Sequence, residues 1–380
     1  MNSIKYYLYY FESKFIGYPF VIRVTLFLIV ILVLIYLGSM VRILFIAKKR
    51  NQFENRKKQI KEEYETKLNQ VLFSEKNLSS QEIEKQLNIN SDPIKEWGKS
   101  YISKLILSLI NQDMKLNVRN YKQTLKVFEL HAYWEDQLRN KNVKDEGTAL
   151  RILDDMSEDA SSNAISNKTG SQNDNLRKHA KSIFMKFDSN DAFKFLEDDF
   201  DKDFNSLDEV RIHDALKEKS KSRTLPPLIR WVNTAKNEFF KSFLIQEIGY
   251  FKQIDCAEKL IEIFKEPLSN NLVKSQIAKT LGVMDYKAAI PHLIEGYESN
   301  PQEVQESVIH AMGELGGQDA LVFLEKIYHE THNKETLIKV LQNIYLVDES
   351  KIVFNKLKST STTDFEKSIF NYIDQGFSVR

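Results

Sequence analysis

The distribution of apolar and polar positions divides the chain into three kinds of segment. Val24–Val41 is a continuous apolar run with no charged residue between Arg23 and Arg42. Residues 47–92 are polar and carry a narrow apolar stripe. From about Pro93 onward, apolar residues recur three or four positions apart, which is typical of amphipathic helices. Because no stretch alternates in the manner of a half-buried strand, the pattern predicts an all-α protein.

The apolar run predicts a transmembrane helix over residues 24–46. About 18 residues at ~1.5 Å per residue reach ~27 Å, which is close to the hydrocarbon thickness of a bilayer. A buried helix of a globular domain is one alternative, although such a helix normally keeps a polar face. A cleaved signal peptide is the other, although about 22 residues precede the run and basic residues instead of a small-residue cleavage site follow it.

The charges that flank the run predict its orientation. Seven Lys and Arg residues lie between Arg42 and Lys58, against three in residues 1–23. Since the basic excess marks the cytoplasmic side, we expect the amino terminus outside and the large C-terminal part inside, at the inner face of the cell membrane. Residues 1–23 are rich in Tyr and Phe and predict a short interfacial segment. The basic cluster would also attract anionic lipid headgroups.

The remainder of the chain predicts helices up to the C terminus. Residues 47–92 predict a helical stalk, with a new helix capped by Ser79 or Ser80. The stripe of the stalk is Phe53, Ile60, Tyr64, Leu68 and Val71. Residues 93–156 predict the helical N-terminal part of a solenoid, and residues 157–175, rich in Ser and Asn, a flexible exposed loop. Residues 176–380 hold the repeats.

One pattern recurs in the C-terminal half at a period in the low thirties. Gly249, Gly282 and Gly313 are 33 and 31 residues apart, and Leu260, Leu293 and Leu324 have the same two spacings. An alanine stands between the glycine and the leucine of each unit: Ala257, Ala289 and Ala320. Two helices per unit at this period predict an α-solenoid of stacked helical hairpins. We expect the alanines to allow close packing and the glycines to permit the turn between the two helices.

This pattern resembles HEAT repeats, especially the short class related to the phycobilisome-lyase type. The residues that carry the resemblance are Val273, Ile277, Ala278, Leu281, Gly282, Ala289 and Leu293, then Val304, Val308, Ala311, Met312, Gly313, Ala320 and Leu324. The resemblance to HEAT repeats is good over about 237–331 and fair over 175–375. The tetratricopeptide pattern matches the sequence less well. The resemblance implies a packing motif without catalytic residues.

The same resemblance implies where a partner binds. In HEAT-like arrays the second helices usually line the concave face, which partners contact. The polar positions on these helices are Lys259, Glu262, His292, Glu295, Lys326 and His329. They form a surface of mixed charge, which favours a protein partner.

Candidate chemistry is weak elsewhere. Asp201, Asp203 and Asn205 are spaced as in a calcium loop, but Ser206 and Ile212 replace the required Gly and Glu, so we expect a solvated acidic turn. The histidines of His329–His332 are three apart and lack a third ligand. Cys256, the single cysteine, sits at a small-residue position and predicts core packing. The run 217–223 predicts a solvated basic loop that could attract phosphate or an acidic partner.

The sequence therefore predicts a membrane-anchored scaffold or adaptor with no enzymatic activity, no cofactor and no metal. The balance of 54 basic and 53 acidic residues argues against nucleic acid. The expected partners are a protein, including another membrane protein, and the lipid around residues 24–46. No small-molecule substrate is evident. The alternatives are an enzyme or chaperone of the phycobilisome-lyase-like class that binds a small molecule, and a structural protein that self-associates through the stalk and membrane helix.

Overall fold

The computed structural model describes residues 2–89, 94, 96–111, 114–139, 143–156 and 162–377. These residues form twenty α-helices and no strand, which confirms the all-α prediction. The chain divides into two compact units, Met1–Asp136 and Gln137–Arg380, referred to below as unit 1 and unit 2. Their boundary falls inside the segment 93–156. The predicted helix start at Pro93 lies outside the described residues.

Unit 1 is dominated by one long helix. Its helices are α1 (Asn2–Gly17), α2 (Phe20–Leu72), α3 (Ser80–Leu87), α4 (Glu96–Ile110), α5 (Val118–Val127) and α6 (Leu130–Arg139), the last of which runs across the unit boundary. Pro19 separates α1 from α2 because it has no N–H with which to continue the first helix. α2 then continues for 53 residues without a break. It contains both the predicted span and most of the predicted stalk.

The two ends of α2 have different surroundings. An 18-residue window in its N-terminal part has a mean hydropathy of 2.9 and no buried residue, so this helix is long and apolar enough to cross a membrane. In its C-terminal part Ile60, Tyr64 and Leu68 are buried, where α2 packs against α3, α4 and α5. Most of the apolar stripe of the stalk therefore belongs to the core of unit 1.

Local hydrogen bonds define the ends of the short helices of unit 1. Ser79, one of the two predicted N-caps, caps α3 and forms a capping box with Glu82. Asn120 at the start of α5 is fully buried, and its Nδ2 donates to the carbonyl oxygen of Val71 at 2.9 Å. Its Oδ1 accepts from the Leu78 N–H at 2.8 Å, so one amide fixes the loop that follows α2.

Unit 2 begins with irregularly spaced helices. They are α7 (Val143–Asp155), α8 (Ser162–Ser166), α9 (Asp174–Phe187), α10 (Ser206–Ser222) and α11 (Ile229–Thr234). The short helix α8 lies within the range 157–175, for which the sequence predicts an exposed loop. Ile165 is fully buried there, because the apolar pair Ala164–Ile165 provides an anchor among the Ser and Asn residues. Residues 157–161 lie outside the described part of the chain.

Four helical hairpins and a final helix complete unit 2. Their first helices, called the A helices, are α12 (Glu238–Tyr250), α14 (Asn271–Val283), α16 (Gln302–Leu315) and α18 (Lys334–Val347). Their second helices, called the B helices, are α13 (Ala257–Lys265), α15 (Ile290–Tyr297), α17 (Gln318–Glu330) and α19 (Ile352–Thr360). α20 (Asp364–Phe377) follows them. One continuous apolar core joins the hairpins, as the solenoid prediction requires.

The repeated glycines have a different role from the one predicted. Gly249, Gly282 and Gly313 lie inside A helices, and none of the three has a positive φ. A β-carbon on Gly249 would lie 3.2 Å from Thr280 Cγ2 of the next A helix, and one on Gly282 would lie 3.2 Å from the Cα of Ala311. The glycines therefore allow successive A helices to approach closely. The prediction that they form the turns is wrong.

Other residues supply the turns between A and B helices. Lys252, Asp285 and Gly316 adopt φ values of 48°, 53° and 61°, which lie in the left-handed region. Asp tolerates this conformation because its side chain hydrogen-bonds locally, whereas Lys adopts it at a cost. Successive A helices pack along more of their length than successive B helices do. The B helices therefore form the more open side of the stack.

Candidate interaction surface

The six residues predicted to bind a partner lie on three consecutive B helices. α13 carries Lys259 and Glu262, α15 carries His292 and Glu295, and α17 carries Lys326 and His329. Members of each pair are three residues apart, so they lie on the same side of their helix. Five of the six are exposed and His292 is half-buried. The leucines of these helices face the opposite way and are buried. We call this surface the B face.

Ion pairs connect neighbouring B helices across this face. Glu295 lies 4.0 Å from the Lys265 Nζ of the preceding B helix, and Lys326 lies 3.9 Å from Glu298 just after α15. A third pair joins Glu325 of α17 to Lys356 of α19 at 3.3 Å. Exposed pairs of this kind contribute about 0–1 kcal/mol each, so a partner can exchange them at little cost. The B face is thus a surface of alternating charge.

The other sequence candidates are possible metal ligands, a single cysteine and two charged stretches. Among those residues, no group of three His, Cys, Asp or Glu side chains lies close enough to hold a metal ion. Cys256 is buried at the start of α13, and burial raises the pKa of its thiol. A neutral buried thiol packs like a small apolar side chain, because the thiolate is the reactive form.

Asp201, the first residue of the acidic stretch, is buried and paired, so the prediction of a solvated acidic turn is wrong for this residue, whereas Asp203 and Asn205 are exposed. Asp201 accepts hydrogen bonds from Arg177 Nε and Nη2, both at 2.8 Å, and from Lys181 Nζ at 3.0 Å. The Arg177 guanidinium holds the pKa of this carboxyl well below its usual range, against the opposing effect of burial. Lys181 and Arg177 belong to α9 and lie 20 and 24 residues before Asp201. The residues next to Asp201 in the sequence therefore give no sign of these ion pairs.

Asp208 extends this ionic cluster into α10. Its side chain is fully buried and accepts from Lys178 Nζ at 2.7 Å. It also accepts from the Asn205 N–H at 3.1 Å and completes a capping box at the start of α10. Of the side chains that resemble calcium ligands in the sequence, Asp201 and Asn205 accept hydrogen bonds from protein donors, whereas Asp203 is exposed. The cluster fixes α9 against α10.

The basic run 217–223 is helical up to Ser222 and does not form a loop. It forms the end of α10, and Lys219 donates from Nζ to the Asp188 carbonyl at 2.7 Å. Burial lowers the pKa of Lys219, and the neighbouring charge of Arg223 adds to this effect. Arg223 lies over the ring of Phe193 at 5.2 Å. The prediction of a loop is therefore wrong, although most residues of the run are exposed as predicted.

Two cavities of about 500 and 410 Å³ share Arg223 and Thr224 as lining residues. Aromatic side chains border them, with Phe251 at the larger cavity and Phe193 and Trp231 at the smaller. Trp231 is 4% exposed, and its indole N–H has no acceptor among the described residues. Sequence reasoning missed these cavities, whose one local signal is the Pro226–Pro227 turn before α11.

Comparison with known protein families identifies the repeats. Residues 257–344 match the family model for HEAT repeats. The match begins with α13 and ends within α18, so it contains all six predicted B-face residues. It covers less than a quarter of the chain and does not specify the short phycobilisome-lyase-like class. A comparison with curated proteins finds none that matches. HEAT repeats generally mediate protein–protein interactions.

Proposed function

We propose that this protein is a membrane-anchored scaffold that binds a partner protein through its HEAT-like repeats and has no catalytic activity of its own. The observation that carries the proposal is that each B helix has one buried apolar side and one exposed polar side. Their leucines enter a continuous core, while equivalent polar positions of three successive repeats form one exposed face. Repeating, solvent-facing positions on stacked helices provide an extended binding surface.

The anchor in this proposal is α2. Its exposed apolar part has the length and hydropathy to cross a bilayer. The excess of basic residues after it supports a topology with the repeats at the inner face of the cell membrane and the amino terminus outside. Anchoring confines the repeats to the layer in which a membrane-bound partner also lies. The effective concentration of that partner is then high, so a modest affinity suffices.

The chemistry of the B face favours a protein partner with charges of both signs. Lysines and glutamates alternate along it, and its ion pairs are exposed and individually weak. A nucleic-acid surface would instead need a stripe of one sign. Complementary mixed charges give register and specificity more than they give affinity.

Self-association through the stalk is less well supported than the scaffold function. A coiled coil would need the apolar stripe of α2 to be free for a second copy. Ile60, Tyr64 and Leu68 of that stripe are buried within unit 1. These residues are available for a second chain only if the unit opens.

The proposal is tested with the full-length chain in its native membranes. Proteins are crosslinked and captured with wild type, with the B-face variant Lys259→Glu/Lys326→Glu, and with a control variant Lys279→Glu/His310→Glu. The control residues are exposed basic positions on the A helices. We expect a protein that is captured by wild type and the control but is reduced at least about fivefold by the B-face variant, which corresponds to about 1 kcal/mol.

Two results would contradict this proposal. If the B-face variant retains every captured protein at the wild-type level, the B face is not the docking surface. If wild type captures only copies of itself, the structural alternative is correct. A small molecule that co-purifies with wild type and is converted to a product would instead support the enzyme or chaperone alternative.

A further inference from the structure

Unit 1 contains a cavity of about 310 Å³ between α2 and α4. Its volume lies at the lower end of the range for small-molecule sites, about 300–1,000 Å³. All of its lining residues fall between Phe53 and Ser108. The cavity is therefore a feature of unit 1 alone and is separate from the B face.

The walls of the cavity are apolar. Phe53 and Ile60 line it from α2, and Tyr101 and Leu105 line it from α4. Phe53 is 53% exposed, although its ring packs edge-on against Tyr101 with centroids 5.1 Å apart. Covering this exposed aromatic ring with hydrocarbon is favourable, at roughly 25 cal/mol per Å² of apolar surface removed from water.

The rim of the cavity is basic. Lys57 and Lys61 border it on α2 and Lys104 borders it on α4, against the single carboxylate of Glu65. Lys61 lies 3.6 Å from Glu65, which leaves two lysines in excess. An apolar cleft with a cationic rim fits a molecule that has a hydrocarbon part and a negatively charged end.

Tyr101 provides a second and independent indication of a ligand. It is 8% exposed, and its buried hydroxyl has no hydrogen-bond partner among the described residues. An unpaired buried hydroxyl costs about 1–3 kcal/mol, so such groups are rare in native proteins. Burial raises the pKa of this phenol, which therefore remains a donor at neutral pH. Tyr101 lines the cavity, so a modest rotation of its ring would bring this covered hydroxyl to a ligand oxygen.

The position of the cavity on α2 indicates where the ligand comes from. Phe53 follows Ile46, the last residue of the predicted span, by seven residues, which is ~10 Å along the helix axis. The headgroup layer of one leaflet is about 5–8 Å thick. The cavity therefore begins close to the membrane surface if α2 spans the bilayer.

We propose that this cavity binds an anionic amphiphile with a single hydrocarbon chain, drawn from the adjoining membrane leaflet. The chain lies against Phe53, Ile60 and Leu105. The carboxylate or phosphate lies between the rim lysines, and one of its oxygens accepts from the Tyr101 hydroxyl. A free fatty acid and a lysophospholipid share this chemistry, and the two arms of the experiment separate them.

The test uses the full-length chain in nanodiscs of phosphatidylcholine. One arm adds a fatty acid with a photoreactive diazirine in its chain, and the other adds a lysophosphatidic acid with the same chain. After illumination, mass spectrometry maps the labelled peptides. Labelling of the cavity peptides is divided by labelling of the span 24–41, which corrects for the amount of probe in the bilayer. A neutral fatty alcohol with the same diazirine serves as the uncharged control.

We expect both cavity walls, near Phe53–Ile60 and near Leu105, to be labelled by at least one anionic probe and several-fold less by the alcohol. The variant Lys57→Gln/Lys104→Gln should weaken this labelling by up to about fivefold for each lysine. Tyr101→Phe should weaken it by about two- to tenfold. Lys58→Gln is the matched control, because Lys58 lies at the same depth on α2 but does not line the cavity.

Equal labelling by the anionic probes and the alcohol would overturn the proposal, as would equal losses in Lys58→Gln and in the rim variant. The second result would mean that the lysines attract anions only in general. Leu105→Trp provides a further check, since it fills the cavity and should abolish labelling while the helical circular dichroism is unchanged. None of these outcomes depends on the B face, so the scaffold function is tested separately.

Discussion

The backbone of Gly313 on α16 lies directly against the side chain of Asn343 on α18, so a β-carbon on Gly313 would overlap the Asn343 amide. That amide is held in place, since its Nδ2 donates to the Lys339 carbonyl at 2.8 Å. The contact joins two successive A helices. It shows that this position needs a glycine because the neighbouring helix leaves no room for a β-carbon, and not because of the turn that follows.

Gly313→Ala should destabilise unit 2 by about 1–3 kcal/mol, because the added methyl group overpacks the interface between the A helices. Gly147→Ala in α7 is the control: nothing lies within 4 Å of its β-carbon position. This control should stabilise the protein by up to about 1 kcal/mol through helix propensity. Thermal unfolding followed by circular dichroism checks both signs. Equal shifts in the two variants would mean that the contact with Asn343 does not restrict position 313.

Lys178→Met should destabilise unit 2 by about 1–3 kcal/mol, since it removes the nearer of the two cations that pair with the buried carboxylate of Asp208 and leaves only Arg211 at 3.3 Å. The double variant Lys178→Met/Asp208→Asn should recover part of this loss, because it removes the uncompensated charge. Urea unfolding combined with hydrogen exchange of the α9 and α10 amides measures both effects. A double variant no more stable than Lys178→Met would show that the charge of Asp208 is not the source of the cost.

The pairing of Asp201 predicts a defined pH dependence. Its pKa is lower in the folded chain than in the unfolded chain, where a free Asp titrates near ~3.9. Its contribution to stability is therefore complete above about pH 5 and is lost as the pH falls below the unfolded pKa. Asp201→Asn should cost about 1.5–3 kcal/mol at pH 7. The difference between wild type and variant should shrink as the pH falls from 5 to 2. A difference that is constant across this range would contradict the assignment.

Leu32→Arg/Val33→Arg should release the protein from membranes, because each arginine at the centre of a membrane helix costs about 2.5–3.5 kcal/mol on the insertion scale. Gln52→Arg, in the exposed polar part of α2, should remain in the membrane fraction. Alkaline carbonate extraction checks the two outcomes. Intact mass of the wild-type protein is measured in parallel. Loss of residues 1–41 would show that the apolar run is a cleaved signal peptide.

Much of the fold could be predicted from the sequence because it depends on local periodicity. The spacing of Gly249, Gly282 and Gly313 is enough to predict three of the hairpins, and the pair Ser79–Ser80 is enough to predict the start of α3. The role of the glycines was missed, since the atoms that exclude a β-carbon belong to the next repeat. No residue within the same hairpin carries that information.

The candidate sites were less predictable because they depend on contacts between distant residues. The polar residues next to Asp201 in the sequence predict that it is solvated. Only the packing of α9 brings Arg177 and Lys181 close to its carboxylate. The cavity in unit 1 combines Phe53 with Tyr101, which are 48 positions apart. The six B-face residues are polar positions on the second helices, which the resemblance to HEAT repeats predicts as the binding surface, and their role in binding stays a prediction. Whether a partner contacts them is a property of a second molecule.

The continuity of α2 has a geometric consequence. Each residue of an α-helix advances the chain by ~1.5 Å and turns it by ~100°. No break in α2 separates the apolar run from Ile60, Tyr64 and Leu68, around which unit 1 packs. The number of residues in between therefore sets the direction in which the stripe faces around the helix axis, relative to the side chains of the apolar run. Inserting one residue near Gln52 would turn that direction by ~100° but would move the stripe only ~1.5 Å along the helix axis.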